Sequence, residues 1–138
     1  MKHILLAGLF VALAGAAPPP IAGTWEGKTN SLPSVELVVR QDRAGVSGTI
    51  GFYFQTRGKD GKWGVGEKSG GPILSPKLEG TTLTFETLHH KKHGSPELGP
   101  NNKYRVDFVS ATEARLHQVN EAPKPDDAGL KLVRKNQK

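Results

Sequence analysis

Residues 46–55 read Val-Ser-Gly-Thr-Ile-Gly-Phe-Tyr-Phe-Gln, and the large apolar side chains of this stretch recur with a period of two. The apolar positions are Val46, Ile50, Phe52 and Phe54, and they alternate with Ser47, Thr49, Tyr53 and Gln55. Successive side chains of a β-strand point to opposite faces of its sheet. The stretch therefore predicts a strand with one apolar face.

The same period recurs along the chain in short segments that Gly, Pro, Asn and Asp separate. The predicted strands include residues 22–28, 35–40, 82–86, 104–108, 114–117 and 130–134. Residues 57–71 are rich in Gly and Lys, and they predict a long loop with a short strand around Trp63 and Val65. No segment carries a sustained helical stripe. We therefore expect an all-β fold, a single antiparallel up-and-down β-barrel, with a β-sandwich as the alternative.

The two ends of the predicted sheet carry a recognisable pair of motifs. Gly23-Thr24-Trp25 lies in the first strand and Arg134 in the last. This pair resembles the lipocalin and wider calycin pattern, in which the Trp seals one end of the barrel and the Arg lies across its ring. The resemblance implies the same contact between Trp25 and Arg134, which would contribute about 0.5–2 kcal/mol. The alternative is that Trp25 is an ordinary core aromatic and Arg134 a solvated charge.

The mature region also resembles small exported bacterial proteins whose activity is not defined. The shared features are an opening Gly-Thr-Trp-Glu-Gly strand, residues 23–27, and a closing Lys-Leu-Val-Arg strand, residues 131–134. This resemblance implies export, and it implies no particular activity.

The N-terminus predicts export independently. A basic start, the apolar run 4–14 and the small residues Ala14-Gly15-Ala16 predict a cleavable signal peptide over residues 1–16. Prolines 18–20 end the apolar run, which is too short to cross a membrane, so no transmembrane segment is expected after cleavage. Residues 17–21 are then a Pro-rich spacer, and residues 22–138 form the β-barrel domain.

Composition limits the possible compartments and partners. The chain has no cysteine, which excludes a lipid-attachment cysteine and a disulfide framework. We therefore expect a soluble, periplasmic or secreted protein without a lipid anchor. Its 19 Lys and Arg exceed its 13 Asp and Glu. This excess suits an anionic polymer or an envelope surface as partner, whereas nucleic-acid binding would need a basic stripe interleaved with aromatic residues, and none is expected.

Three of the five histidines, His89, His90 and His93, lie within five positions of one another. Neutral imidazole is a common ligand of zinc and copper, so these residues are the candidate metal site. Neighbouring strand residues point to opposite faces, and the intervening lysines repel a cation. The alternatives are a solvated basic loop that becomes more positive below about pH 6.5, or the rim of an anion site. No other cofactor is predicted.

The interior of the barrel is the predicted ligand site. We expect a small apolar or amphipathic ligand there, in contact with aromatic side chains, and we expect the remaining inward positions to be aliphatic. The candidate ligand-binding residues are the inward Phe52, Phe54, Phe85, Tyr104 and Phe108, together with Trp63, which either caps the barrel mouth or offers a flat surface to a ligand such as a sugar ring. The other inward positions are Leu37, Val39, Ile50, Leu83, Val106, Leu116 and Leu132. An eight-stranded barrel can also be filled by its own side chains; in that case the basic surface would act, as an envelope-associated binder of anionic polymer or protein.

Enzymatic activity is not expected. The chain has no His-Glu-x-x-His motif, no Gly-x-Ser-x-Gly motif and no cysteine nucleophile. A hydrolase is the third hypothesis, and its paired carboxylates would be Glu86 and Asp107 on neighbouring predicted strands.

Overall fold

The part of the chain that the structure describes forms nine β-strands. The computed structural model describes residues 20–91, 95–119 and 128–135. The strands are β1 (Gly23–Thr29), β2 (Leu32–Asp42), β3 (Gly45–Arg57), β4 (Trp63–Pro72), β5 (Leu74–Glu79), β6 (Thr82–Thr87), β7 (Asn102–Phe108), β8 (Glu113–Gln118) and β9 (Leu130–Arg134). The described residues contain no helix, and hence none long and apolar enough to cross a membrane. The predicted signal peptide, residues 1–16, lies outside the described residues.

The strands form one antiparallel sheet in the order β4-β3-β2-β1-β9-β8-β7-β6-β5. The predicted all-β, up-and-down fold is thus confirmed, and the sandwich alternative is wrong because there is a single sheet. β1 pairs with β9, which joins the first strand to the last. β4 and β5 are consecutive in sequence but are the two edges of the sheet. The sheet is therefore a strongly curled half-barrel that is open between β4 and β5.

The Gly-rich stretch 57–71 differs from its prediction as a loop. Most of it forms β4, which pairs with β3 from Arg57↔Trp63 to Thr49↔Pro72. A register irregularity between Tyr53 and Gln55 shows that the pairing is bulged there. Pairing with the 13-residue strand β3 satisfies the backbone groups of this segment that face β3, although its side chains show no apolar period. Tertiary pairing has thus outweighed a sequence typical of a loop.

The concave face of the sheet holds the core. Ten of the predicted inward residues are buried: Leu37, Val39, Ile50, Leu83, Phe85, Tyr104, Val106, Phe108, Leu116 and Leu132. Phe52 is partly buried against them. Phe54 is 47% exposed, so its expected burial is wrong. Its strand continues past the core at this position. Ile21, assigned to the spacer, is buried in the core, so the packed domain begins no later than this residue.

Trp25 and Arg134 are in contact where the first strand pairs with the last. They are partners in the β1–β9 ladder, and the guanidinium carbon of Arg134 lies 4.4 Å from the centroid of the Trp25 ring. Trp25 is completely buried, and its indole N–H donates to the carbonyl of Ile21 at 2.9 Å. Gly23 has a φ of +142°, and a Cβ there would collide with Arg134. The glycine of the Gly-x-Trp motif therefore provides the space that the guanidinium occupies.

Candidate ligand-binding cleft

A cleft of about 300 Å³ opens where β4 and β5 do not pair. Ile50 and Phe52 of β3 and Tyr104 of β7 form its apolar surface. Residues 69–72 of β4 form its near wall, and the far wall consists of Thr87, Leu88, His90 and Asn102. We call this site the cleft. It exists because the sheet curls far enough to bring β3 opposite β6 and β7 without closing.

Three aromatic rings run across the inner surface next to the cleft. Tyr104 lies 5.7 Å from Phe52 and 5.7 Å from Phe85, measured between ring centroids. Offset and tilted arrangements at this separation are favourable for aromatic pairs. Phe85 is only 2% exposed and forms the buried end of the row, whereas Phe52 and Tyr104 reach the cleft. Ring contacts on both sides hold Tyr104, so the row gives the cleft an ordered apolar surface.

The interior behind this row is packed with side chains. Trp25, Leu37, Leu83, Val106 and Leu132 are all 0% exposed. Phe108 belongs to this packing, since its ring meets the Trp25 ring at 5.1 Å in an edge-on arrangement. Phe108 lines neither the cleft nor the depression, and its part in ligand binding stays a prediction. The apolar surface open to a ligand lies at the mouth of the half-barrel, above the packed interior.

A shallow depression continues from the cleft toward solvent. Phe54, Ser69, Leu88, His89, His90, Ser95 and Pro96 line it. Leu88 is 51% exposed and Phe54 47% exposed. Phe54 therefore lies beside the cleft as a rim residue. Trp63 is 44% exposed at the start of β4 and lines neither the cleft nor the depression.

Residues 89–91 pair with residues 97–99 on the far wall, where His90 and Leu98 form an antiparallel bridge. The Gly99 N–H donates to the His89 carbonyl at 2.9 Å, and the Lys91 N–H donates to the Glu97 carbonyl at 3.0 Å. His90 Nδ1 lies 2.8 Å from the Ser95 carbonyl. Because a carbonyl can only accept, Nδ1 carries the proton. This bond fixes the tautomer and orients the ring at the edge of the cleft.

The predicted metal site lies only partly within the described residues. His89 and His90 both line the depression, whereas His93 lies outside the described residues. Within the described residues there is no group of three or more potential metal ligands. Zinc or copper binding at His89, His90 and His93 stays a prediction.

The carboxylates considered for catalysis are not brought together. Glu86 pairs with Lys103, while Asp107 pairs with Thr82, four positions away along β6. At the rise of a strand this is a separation of about 13 Å. Asp107 instead accepts a hydrogen bond from Thr82 at 3.0 Å and lies 3.5 Å from His117 Nε2. These contacts are on the convex face, away from the cleft.

An ion-pair network fixes β4, the near wall of the cleft, to the rest of the sheet. Lys68 of β4 reaches across β3 to Glu36 of β2 at 2.9 Å. It passes over Gly51, where a Cβ would lie 2.8 Å from the lysine side chain. Lys135 contacts Glu36 and Glu26, each at 3.2 Å. The hydrogen bond from Lys68 is the main cause that lowers the pKa of Glu36, and it also raises the pKa of Lys68.

This network predicts a loss of stability in acid. Because the pKa of Glu36 lies below its ordinary value of 4.5, the pairing stabilises the fold above that pH and is lost as the pH falls through the lowered pKa. Glu36→Gln should therefore weaken the decline in unfolding free energy between about pH 7 and pH 3, measured by urea unfolding. Glu79→Gln is the control, since the Lys77–Glu79 pair is 71% exposed on both sides. Equal declines in Glu36→Gln and in the unsubstituted protein would contradict the assignment.

Sequence analysis missed most of the cleft. It identified Phe52 and Tyr104 as ligand contacts, Ile50 as an inward position and His90 as a candidate metal ligand, but not residues 69–72, Thr87, Leu88 or Asn102. These residues lie in a Gly-rich segment and at strand ends, where no periodic signal marks them. The unusual run of glycines was the only available hint.

Comparisons with known proteins find no matching family model, no matching curated protein sequence and no matching solved structure. The chain forms a small all-β half-barrel that is compatible with a calycin-like fold. Its function has to be argued from its own site.

Proposed function

We propose that the protein is an exported binding protein that takes a small apolar or amphipathic ligand in the cleft. The observation that carries this proposal is the aromatic row, because Phe52 and Tyr104 present ordered apolar surface at the mouth of a packed half-barrel. Binding pockets for small molecules are typically apolar and concave, with a few fixed polar groups.

The polar groups of the cleft favour an amphipathic ligand. Ser69 lies on the near wall, and Thr87, His90 and Asn102 lie on the far wall. His90 is already oriented by its bond to the Ser95 carbonyl. A ligand with an apolar body on the aromatic row would thus have its polar end near these groups.

The second candidate uses a groove on the convex face. Lys28, Lys131, Val133 and Lys135 line it, and such a surface could attract an anionic polymer. However, Lys135 is paired with Glu26 and Glu36, and Lys131 lies 3.7 Å from Glu113. These carboxylates offset much of the positive charge. The cleft is the better-supported site.

Fluorescence titration with N-phenyl-1-naphthylamine, an uncharged apolar probe, tests the proposal. We expect binding, and we expect Leu88→Ala and Phe52→Ala each to weaken it about three- to tenfold or more through lost apolar contact. Leu88 is 51% exposed, so its replacement should leave folding unchanged. Val133→Ala is the matched control, since Val133 is 46% exposed on the opposite face. Absence of binding, or equal affinity in all four proteins, would refute the proposal.

A further inference from the structure

The cleft has no charged partner for an ionised ligand. Its described lining contains no carboxylate, lysine or arginine, and the same holds for the depression beside it. Lys91 on the far-wall segment pairs with Glu97 at 3.0 Å, and Lys68, which precedes the near wall, pairs with Glu36 at 2.9 Å. An ionised group that entered the cleft would lose water without gaining an ion pair, which is costly. The lining therefore favours an uncharged ligand.

Most polar side chains of the cleft do not distinguish a hydrogen-bond donor from an acceptor. Ser69, Thr87 and Asn102 line the cleft, and each of them can both donate and accept. A ligand hydroxyl, ether or carbonyl could therefore bond any of the three. Selection between these ligand groups requires a side chain whose role is fixed.

His90 is such a side chain. Its Nδ1 donates to the Ser95 carbonyl at 2.8 Å, and a neutral imidazole has only one N–H, so Nε2 can only accept. Within the described residues, the ring makes no other hydrogen bond. The ring lines both the cleft and the depression. The far wall thus offers a ligand one acceptor that needs a donor.

This acceptor is held in place before a ligand arrives. The backbone of His90 forms an antiparallel bridge with Leu98, and the next residue, Lys91, donates its N–H to the Glu97 carbonyl at 3.0 Å. The bond to the Ser95 carbonyl fixes the ring itself. Because backbone and ring are both constrained, a bond from a ligand to Nε2 costs little further ordering.

We infer that the cleft selects an uncharged, hydroxyl-bearing apolar ligand, a long-chain alcohol in chemical class, and that His90 Nε2 accepts the hydrogen bond from its hydroxyl. The apolar chain lies on Phe52 and Tyr104. An exposed acceptor is hydrated in the absence of a ligand, and a ligand that displaces this water without replacing its bond loses affinity. The inference rests on the small-ligand function proposed above and specifies its ligand class.

Displacement of N-phenyl-1-naphthylamine by three ligands with the same number of carbon atoms tests the inference on the unsubstituted protein. 1-Nonanol and 1-methoxyoctane are isomers, and only the alcohol has a donor. We expect the alcohol to bind about three- to tenfold more tightly than the ether, because one hydrogen bond distinguishes them. Nonanoate should bind about tenfold more weakly than the alcohol or worse, because its charge meets no cation. The titrations are made at about pH 8, where an ordinary imidazole is neutral.

Two matched variants assign the selectivity to His90. His90→Phe keeps a ring on the far wall but has no acceptor, so the preference for the alcohol over the ether should fall below about twofold. His89→Phe is the control, since His89 lines the depression but not the cleft, and it should keep the preference. Urea unfolding establishes that both variants are folded.

The outcomes separate this inference from the function on which it rests. If the probe binds but 1-nonanol and 1-methoxyoctane displace it equally well, or nonanoate binds more tightly than the alcohol, this inference alone is overturned. Retention of the full preference in folded His90→Phe would also overturn it. Absence of probe binding would instead overturn the small-ligand function, and this inference with it. The ligand series uses the unsubstituted protein, so its result does not depend on the folding of a variant.

Discussion

Replacing Arg134 with alanine is expected to lower the free energy of unfolding by about 2–4 kcal/mol. The guanidinium lies 4.4 Å from the Trp25 ring centroid and donates to the Ala111 carbonyl at 2.7 Å. It also donates to the carbonyls of Ala22 and Pro20. One side chain thus connects the last strand to the segment before the first strand. Its loss removes the cation–π contact and leaves three carbonyls without this donor.

The measurement is urea unfolding followed by Trp25 fluorescence, in a Trp63→Phe background that removes the second tryptophan. Arg134→Lys keeps the charge, but its donors all belong to one nitrogen, whereas three nitrogens of the guanidinium each donate to a different carbonyl. It should therefore recover less than half of the lost stability. Arg115→Ala is the matched control, because Arg115 forms a partly exposed pair with Glu113 at 3.2 Å. An unchanged emission spectrum and unfolding midpoint in Arg134→Ala would show that the contact contributes nothing.

Periodicity predicted the parts of the fold in which burial alternates. In β2, Val35, Leu37 and Val39 are buried while the residues between them are not. The same holds for Tyr104, Val106 and Phe108 in β7. Such strands have one buried and one solvent-exposed face, so apolar and polar residues alternate in their sequence. The contact between Trp25 and Arg134 was predicted for another reason, since the resemblance to the calycin pattern implies it.

The cleft could not be predicted in the same way. Its near wall is β4, where nine of the ten residues are exposed, so no alternation exists to detect. Phe54 has the correct parity for the core but lies beyond it, because alternation gives the face of a strand and not where the core ends. The opening between β4 and β5 depends on pairing over the whole sheet. None of these features leaves a local pattern in the sequence.

Close backbone approach at Gly48 is the second feature that sequence periodicity does not show. Gly48 pairs with Val39, and an added Cβ would lie only 1.9 Å from the Val38 carbonyl oxygen. On its other side its carbonyl accepts the Ile73 N–H at 3.0 Å, at the corner where β4 leads into β5. The residue is therefore held between two backbone segments, and neither segment can move away as a flexible side chain would.

Gly48→Ala is accordingly expected to destabilise the protein by about 3 kcal/mol or more, since overpacking against backbone forces strands apart. Gly64→Ala is the matched control in the next strand, because a Cβ there has no atom within 4 Å. The control should be neutral or stabilise by up to about 1 kcal/mol, through reduced freedom of the unfolded chain. Thermal and urea unfolding measure both variants. Because separation at Gly48 would also release the corner beside the cleft, the affinity for N-phenyl-1-naphthylamine should fall in Gly48→Ala under conditions where it remains folded. Equal stability of the two alanine variants would mean that the strands at Gly48 can separate at little cost, and that this contact does not define the curl of the half-barrel.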